Sequence, residues 1–292
     1  VKARDMFHLR GVGDRIQVIS TDAFIEDIHF RRDWATPYDI GWKAASAALS
    51  DIAAMGAQPQ FVLSSLAAPK SWSSEELHSL YEGLRDAALA CEAVVIGGDT
   101  TRSPGGLMLD VTVIGEAVEG RYVLRQGAQA GDVLLVTGTP GRSRAGLLAL
   151  QQGIDAPDAI QAHLHPTPRI EAGLWLAQSG HAHAMMDVSD GIAQDVGHLA
   201  KAAGLGVELS TENVTEDAVI RPVCDALDRS MSKMVFTGGE DYELAVVVAP
   251  EQVKSITQIL NEQYDLSAHH LGTFTDAFEG VRIDGEAVAG LG

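Results

Sequence analysis

Cysteine, positive charge and long apolar runs are all scarce in this chain of 292 residues. Its two cysteines, Cys91 and Cys224, form no C-x-x-C pair, which leaves no thiolate metal or redox centre and reads both as reduced packing residues. No uninterrupted apolar stretch approaches the roughly 18 to 20 residues that a membrane helix needs, so no membrane partner is expected. The opening residues VKARDMFHLRG lack the apolar segment of a secretory signal, which predicts a cytoplasmic location. Lys and Arg number 21 against 40 Asp and Glu, a net charge of −19 that repels polyanions and argues against nucleic acid as a partner. A phosphate ligand would need a cation between it and these carboxylates, and Mg²⁺ is the usual one.

Several signatures are missing too. There is no G-x-x-x-x-G-K-[ST] loop, and GTPGRSRAG (Gly138 to Gly146) is Gly-rich without the lysine, which reads as a loop leading into a helix. The GLGVEL segment at Gly204 follows a helix and enters a strand, the wrong order for a dinucleotide fingerprint. Ser189 lacks the G-x-S-x-G setting of a hydrolase nucleophile.

What is present is a 46% hydrophobic chain, enough for a large core, in which strand-like and helix-like runs alternate. Helices are expected at Asp39 to Met55 (closed by Gly56), Ser74 to Glu92, Gly141 to Gln152, Arg169 to Ser179, Ile192 to Ala203 and Glu251 to Gln263. Strands are expected at Ile16 to Ser20, Phe61 to Leu66, Ala93 to Ile96, Leu107 to Ala117, Val133 to Thr137, Ala184 to Asp187, Val207 to Leu209 and Tyr242 to Val248. The fold class is therefore α/β or α+β. A change of texture after Glu119 places a domain boundary between 120 and 130, dividing the chain into 1–125 and 126–292.

The acidic residues cluster beside Gly, Ser and Thr at what read as strand ends: Ser20-Thr21-Asp22, Ser50-Asp51, Gly97-Gly98-Asp99-Thr100, Asp187-Val188-Ser189-Asp190-Gly191 and Gly238-Gly239-Glu240-Asp241. In open α/β sheets ligands lie off the carboxyl ends of strands. If Asp22, Asp51, Asp99 and Asp187 converge, each pair about 5 Å apart repels by roughly 3 kcal/mol at an effective dielectric near 20. Such a cluster needs cations, and oxygen ligands without His or Cys point to Mg²⁺ or Mn²⁺.

These segments, together with His29-Phe30, LSDIAAMGA (Leu49 to Ala57), HPTPR (His165 to Arg169) and GGEDYEL (Gly238 to Leu244), resemble the thiamine-monophosphate kinase family of the aminoimidazole ribonucleotide synthetase superfamily. The resemblance implies a two-domain PurM-like chain whose N-terminal half dimerises, with ATP in a cleft across the homodimer interface. It implies phosphorylation of thiamine monophosphate by ATP with several Mg²⁺ ions. It implies metal ligands among Asp5, Ser20, Thr21, Asp22, Asp51, Asp99, Asp187 and Asp190. Gly98, Asp99, Arg125 and Ser189 match nucleotide contacts, and His29 and Glu240 match acceptor contacts. Around Asp5 the family's glycine and first aspartate are absent, and the chain's last residues lack the family's aromatic ending. A related synthetase and a non-catalytic nucleotide-binding relative are the alternatives.

Overall fold

The structure is a computed structural model that describes residues 7–10 and 16–288; Asp5 lies outside the described residues. The first half carries β1 (Phe7–Arg10), β2 (Ile16–Ile25), α1 (Pro37–Ala54), β3 (Ala57–Ala68), α2 (Ser74–Ala90), β4 (Val94–Arg102) and β5 (Met108–Ala117). Its strands form one sheet in the order β1-β2-β5-β3-β4, antiparallel except for the β3–β4 pair. The second half carries β6 (Val133–Thr137), α3 (Arg142–Gln152), α4 (Pro157–Leu164), α5 (Ile170–Ser179), β7 (Ala182–Asp187), α6 (Ile192–Ala203) and β8 (Gly206–Leu209). It continues through α7 (Arg221–Leu227), α8 (Met231–Thr237), β9 (Leu244–Val248), α9 (Val253–Tyr264), β10 (Ala268–Thr275), β11 (Gly280–Ile283) and β12 (Glu286–Ala287). These strands form a second sheet, in the order β12-β11-β8-β10-β6-β9-β7.

Helix α1 is the element on which the halves meet. Thr36 and Asp39 close a capping box at its start, two residues earlier than the sequence pattern suggests, and Gly56 follows its end in a left-handed conformation. Half of its residues are Gly, Ala or Ser, so it can be enclosed on every side. A Cβ on Gly41 would lie 1.9 Å from the Leu80 carbonyl oxygen, so α1 and α2 touch backbone to backbone. The other flank of α1 meets α5 and β7, which belong to the second half.

One hydrophobic core therefore crosses between the halves. Along β6, β9 and the edge strand β7 of the second sheet, Val133, Leu135, Met185, Leu244 and Val246 face the core shared with α1. The intervening Leu134, Val136, Met186, Ala245 and Val247 face a second core under α3, α6 and α8. Strands buried on both faces read as continuous apolar runs, which is why they are recognisable as strands while their facing is not. The first sheet differs: its far face leaves Phe61, Val94, Ile96 and Met108 between 42% and 54% exposed.

Five strands, β2, β3, β4, β7 and β8, are longer than expected, and in β2 and β4 the difference relocates the acidic segments. β2 runs on to Ile25 and β4 to Arg102, which puts Asp22 and Asp99 inside strands rather than at their ends. Asp51 lies in the last turn of α1, at no strand end at all. β3 also extends beyond both expected limits. Conversely, β9 begins at Leu244 instead of Tyr242, because Glu240 and Tyr242 adopt positive φ and cannot continue the strand backward.

Candidate active site

The structure gathers Asp22, Asp51 and Asp187 where α1, β2 and β7 meet. Ser20, two residues from Asp22 on β2, donates its hydroxyl to Asp51 Oδ2. Ser50 Oγ donates to Asp187 Oδ2 at 2.6 Å. Burial pushes the Asp51 carboxyl well above the ordinary range, and the neighbouring Asp187 and Asp22 charges push it further, against the Ser20 hydrogen bond and the Arg125 charge. Burial likewise raises Asp187, opposed by Ser50 and Arg125 and reinforced by Asp190.

Arg125 arrives through the segment joining the halves, which runs along β7: the Met185 N–H bonds to the Leu124 carbonyl at 3.1 Å. A Cβ at Gly127 would meet the His183 carbonyl oxygen at 2.1 Å, so the chain there lies against the strand.

Asp99 does not join this cluster. It is in register with Ser65, which is in register with Asp110 on the next strand, and residues in one row point to one face. Thr21, which donates to Asp110 Oδ1 at 2.9 Å, stands on that same open face. The expected convergence of four aspartates is thus corrected to three, with Thr21 and Asp99 on the other side of the sheet. Gly98 has a structural reason: a Cβ there would sit 1.7 Å from the Ser64 carbonyl oxygen, so β4 can approach β3 only without one.

Ser189 and Asp190 lie in the loop between β7 and α6. Asp195 holds this loop, its Oδ2 accepting the backbone N–H groups of Ser189 (3.0 Å), Asp190 (3.2 Å) and Gly191 (3.0 Å). Burial raises the Asp195 carboxyl to about 8. Glu240 is tied to the same loop, its N–H donating to the Ser189 carbonyl at 2.8 Å. His29 sits in the turn after β2, stacked on Phe24 and accepting the Ile25 N–H at Nδ1. Among the described residues no hydrogen bond or ion pair joins it to Glu240. The Gly138–Gly141 loop does lead into a helix, and the N–H groups of Gly141 and Ser143 are taken by Asp241 at 2.7 and 2.9 Å.

Sequence reasoning missed Lys43, His163, Asp195 and Tyr242. Lys43 pairs with Glu240 Oε1 at 3.1 Å from within α1. A lone lysine in a helix of small residues was the available signal, since a buried cation requires a partner. Burial raises the Tyr242 phenol well above its ordinary value, and the charges of Glu240, Asp22, Asp187 and Asp51 add to this, so it lies within electrostatic reach of all four.

The donor set here is all oxygen: three carboxylates and serine hydroxyls, mutually repulsive when ionised. That chemistry fits a hard divalent cation. Among the described residues no group of three or more His, Cys, Asp or Glu side chains is already disposed to hold a metal ion. Nor is any helix among them long and apolar enough to cross a membrane.

Two family models cover this architecture half by half. The one described as AIR synthase related protein, N-terminal domain, matches residues 5–117, and its C-terminal counterpart matches 129–284. Thiamine-monophosphate kinase of Escherichia coli strain K12 is 37% identical over 92% of this chain and 83% of its own length. The chain belongs to the thiamine-monophosphate kinase family. The Bacillus subtilis strain 168 member is 34% identical, over 83% of this chain and 75% of its own. Among solved members of this kinase family, AaThiL complexed with AMPPCP and TMP superposes with a TM-score of 0.87 at 30% identity, covering 98% of this chain and 89% of that one.

Proposed function

We propose that this protein transfers the γ-phosphoryl group of ATP to thiamine monophosphate, giving thiamine diphosphate and ADP. The observation that carries the reading is the grouping of half-buried Asp22 with buried Asp51 and Asp187 beside Arg125, with Tyr242 and Glu240 close enough to feel the same charges. The names of the relatives and the AMPPCP and TMP bound to AaThiL support it.

The chemistry asks little of a general base. A terminal phosphate oxygen of the acceptor, already ionised near pH 7, attacks the γ-phosphorus in line; the bond to the β,γ-bridging oxygen breaks and ADP leaves with that electron pair. What the protein must do is align two anions and offset their charge. Asp22, Asp51 and Asp187, with Ser20 and Asp190, and Asp5 outside the described residues, are assigned to hold Mg²⁺, while Thr21 and Asp99, across the sheet, would not share that site. When bound, that ion supplies charge neutralisation and orientation of phosphate oxygens. Gly98, Asp99, Arg125 and Ser189 are assigned to ATP, and His29 and Glu240 to the acceptor.

The units 1–125 and 126–292 are proposed as the two domains, and the open apolar face of the first sheet as the surface of a homodimer. A cytoplasmic location accords with ATP as co-substrate. The test is incubation with ATP, Mg²⁺ and thiamine monophosphate, followed by oxidation to the fluorescent thiochrome form and chromatography. Thiamine diphosphate that disappears with EDTA is expected; ATP binding without any product overturns the reading.

A further inference from the structure

Lys43 is 3% exposed and lies on α1, in the half of the chain that does not contain Glu240. A buried ammonium is costly unless it is paired and hydrogen-bonded. Its Nζ is 3.1 Å from Glu240 Oε1 and 3.0 Å from His163 Nε2. His163 is itself buried, and burial, with the Lys43 charge, pushes its pKa down to about 2, so it is neutral at working pH. A neutral ring accepting the ammonium at Nε2 carries its proton on Nδ1, which faces Ser143 Oγ at 3.0 Å. His163 therefore braces Lys43 without sharing its charge.

Glu240 is correspondingly constrained. Its backbone has φ of 63°, its N–H is bonded to Ser189, and a Cβ on the preceding Gly239 would meet the Ser189 carbonyl oxygen at 2.5 Å. Its side chain keeps 27% exposure, and Oε2 lies 3.8 Å from His163 Nδ1, beyond hydrogen-bond reach. One carboxylate oxygen is thus held by Lys43 while the side chain as a whole stays partly open to solvent. We infer that Lys43 is a positioning residue for the acceptor, fixing the partly exposed Glu240 carboxylate so that it meets the cationic ring of thiamine monophosphate. The inference rests on the proposed function and assigns a role to a residue with no part in the phosphoryl transfer itself.

The placement along α1 supports a division of labour. Asp51 follows Lys43 by eight residues, roughly 12 Å along the helix and turned from it by less than a quarter of a circle. One rigid helix thereby carries an anchor for the metal and phosphate end and, a dozen ångströms away, an anchor for the ring end. An acceptor with an anion at one end and a cation at the other is matched at both, while ATP makes no demand on Lys43.

The test is steady-state kinetics of the full chain with each substrate varied in turn, on wild type, Lys43→Met, Lys43→Arg, Glu240→Gln and the Lys43→Met/Glu240→Gln double variant. Lys43→Met is expected to raise KM for thiamine monophosphate about tenfold and leave KM for ATP within about twofold. Lys43→Arg, which keeps the charge, is expected to recover part of the loss, and Lys43→Met is expected to add nothing to Glu240→Gln. Equal rises in both KM values, or additive effects in the double variant, overturn the inference. Should Lys43→Met fail to fold, Lys43→Arg decides by the same split between the two substrates. A wild type that forms no thiamine diphosphate overturns the functional reading and this inference together; turnover with an unchanged acceptor KM in the variants overturns the role of Lys43 alone.

Discussion

Ser50 and Asp187, 137 residues apart, are joined by a hydrogen bond of 2.6 Å that ties α1 of the first half to the end of β7 in the second. The same hydroxyl lies 2.8 Å from the Ala47 carbonyl oxygen one turn back, so the serine is locked between its own helix and a carboxylate of the other half. A buried carboxylate deprived of its donor loses more than an exposed one, because no water replaces the bond. Ser50→Ala is expected to lower stability by about 1–3 kcal/mol, read as a shifted midpoint in urea with an unchanged slope. A midpoint equal to that of wild type contradicts this.

Asp51→Asn separates function from stability. The substitution removes a charge that burial, Asp187 and Asp22 all oppose, so without Mg²⁺ the melting temperature is expected to hold or rise. Turnover at ordinary Mg²⁺ is expected to fall by about 100-fold or more, a loss of roughly 2.7 kcal/mol in the transition state. Normal activity would remove Asp51 from the metal-binding role.

Stability should fall as pH rises. Burial raises Asp241 to about 7, against the N–H groups of Gly141 and Ser143, from an ordinary carboxylate value of 3.8. Between those limits the folded state binds more protons than the unfolded one, so the unfolding free energy decreases with pH and the contribution is lost above about 7. Thermal melts in EDTA from pH 4 to 8 are expected to decline across this window, and Asp241→Asn is expected to flatten the decline. Added Mg²⁺ is expected to stabilise more at pH 8 than at pH 5, because burial favours the protonated form of the Asp51 and Asp187 carboxylates it would meet.

The open face of the first sheet is expected to be covered in solution. Phe61 and Val94 are paired in register on neighbouring strands and are 42% and 53% exposed. Phe61→Asp places a charge in the centre of that patch and should convert a dimer to a monomer in sedimentation velocity. A wild-type chain that sediments as a monomer at micromolar concentration contradicts the proposed dimer.

Gly98→Ala is expected to destabilise by about 1–3 kcal/mol, because the added methyl would lie 1.7 Å from the Ser64 carbonyl oxygen and must force β4 from β3. Chemical denaturation reads the loss directly, and any accompanying rise in KM for ATP reports whether that stretch of β4 faces the nucleotide.

What was legible in the amino-acid order depends on near neighbours, although α4, α7, α8, β1 and β10 to β12 were not expected from it. The capping box of Ser73 and Glu76, the period-two alternation of β5, the left-handed glycine after α1 and the acid-rich segments beside glycine are all local patterns, and local backbone chemistry decides them. The resemblance of LSDIAAMGA and GGEDYEL to the kinase family was carried by the same short segments. Tertiary structure alone decided which face each acid occupies. Asp22 and Asp99 look equivalent in sequence, yet the pairing register sets them in adjacent rows that point to opposite faces, so Asp22 joins Asp51 and Asp187 while Asp99 stands on the open face with Thr21. It also decided that Lys43 and Glu240, almost two hundred residues apart, share one ion pair. Neither end of such a contact is marked locally, because what selects the partner is the burial of a charge that water no longer solvates, and burial exists only once the halves have packed.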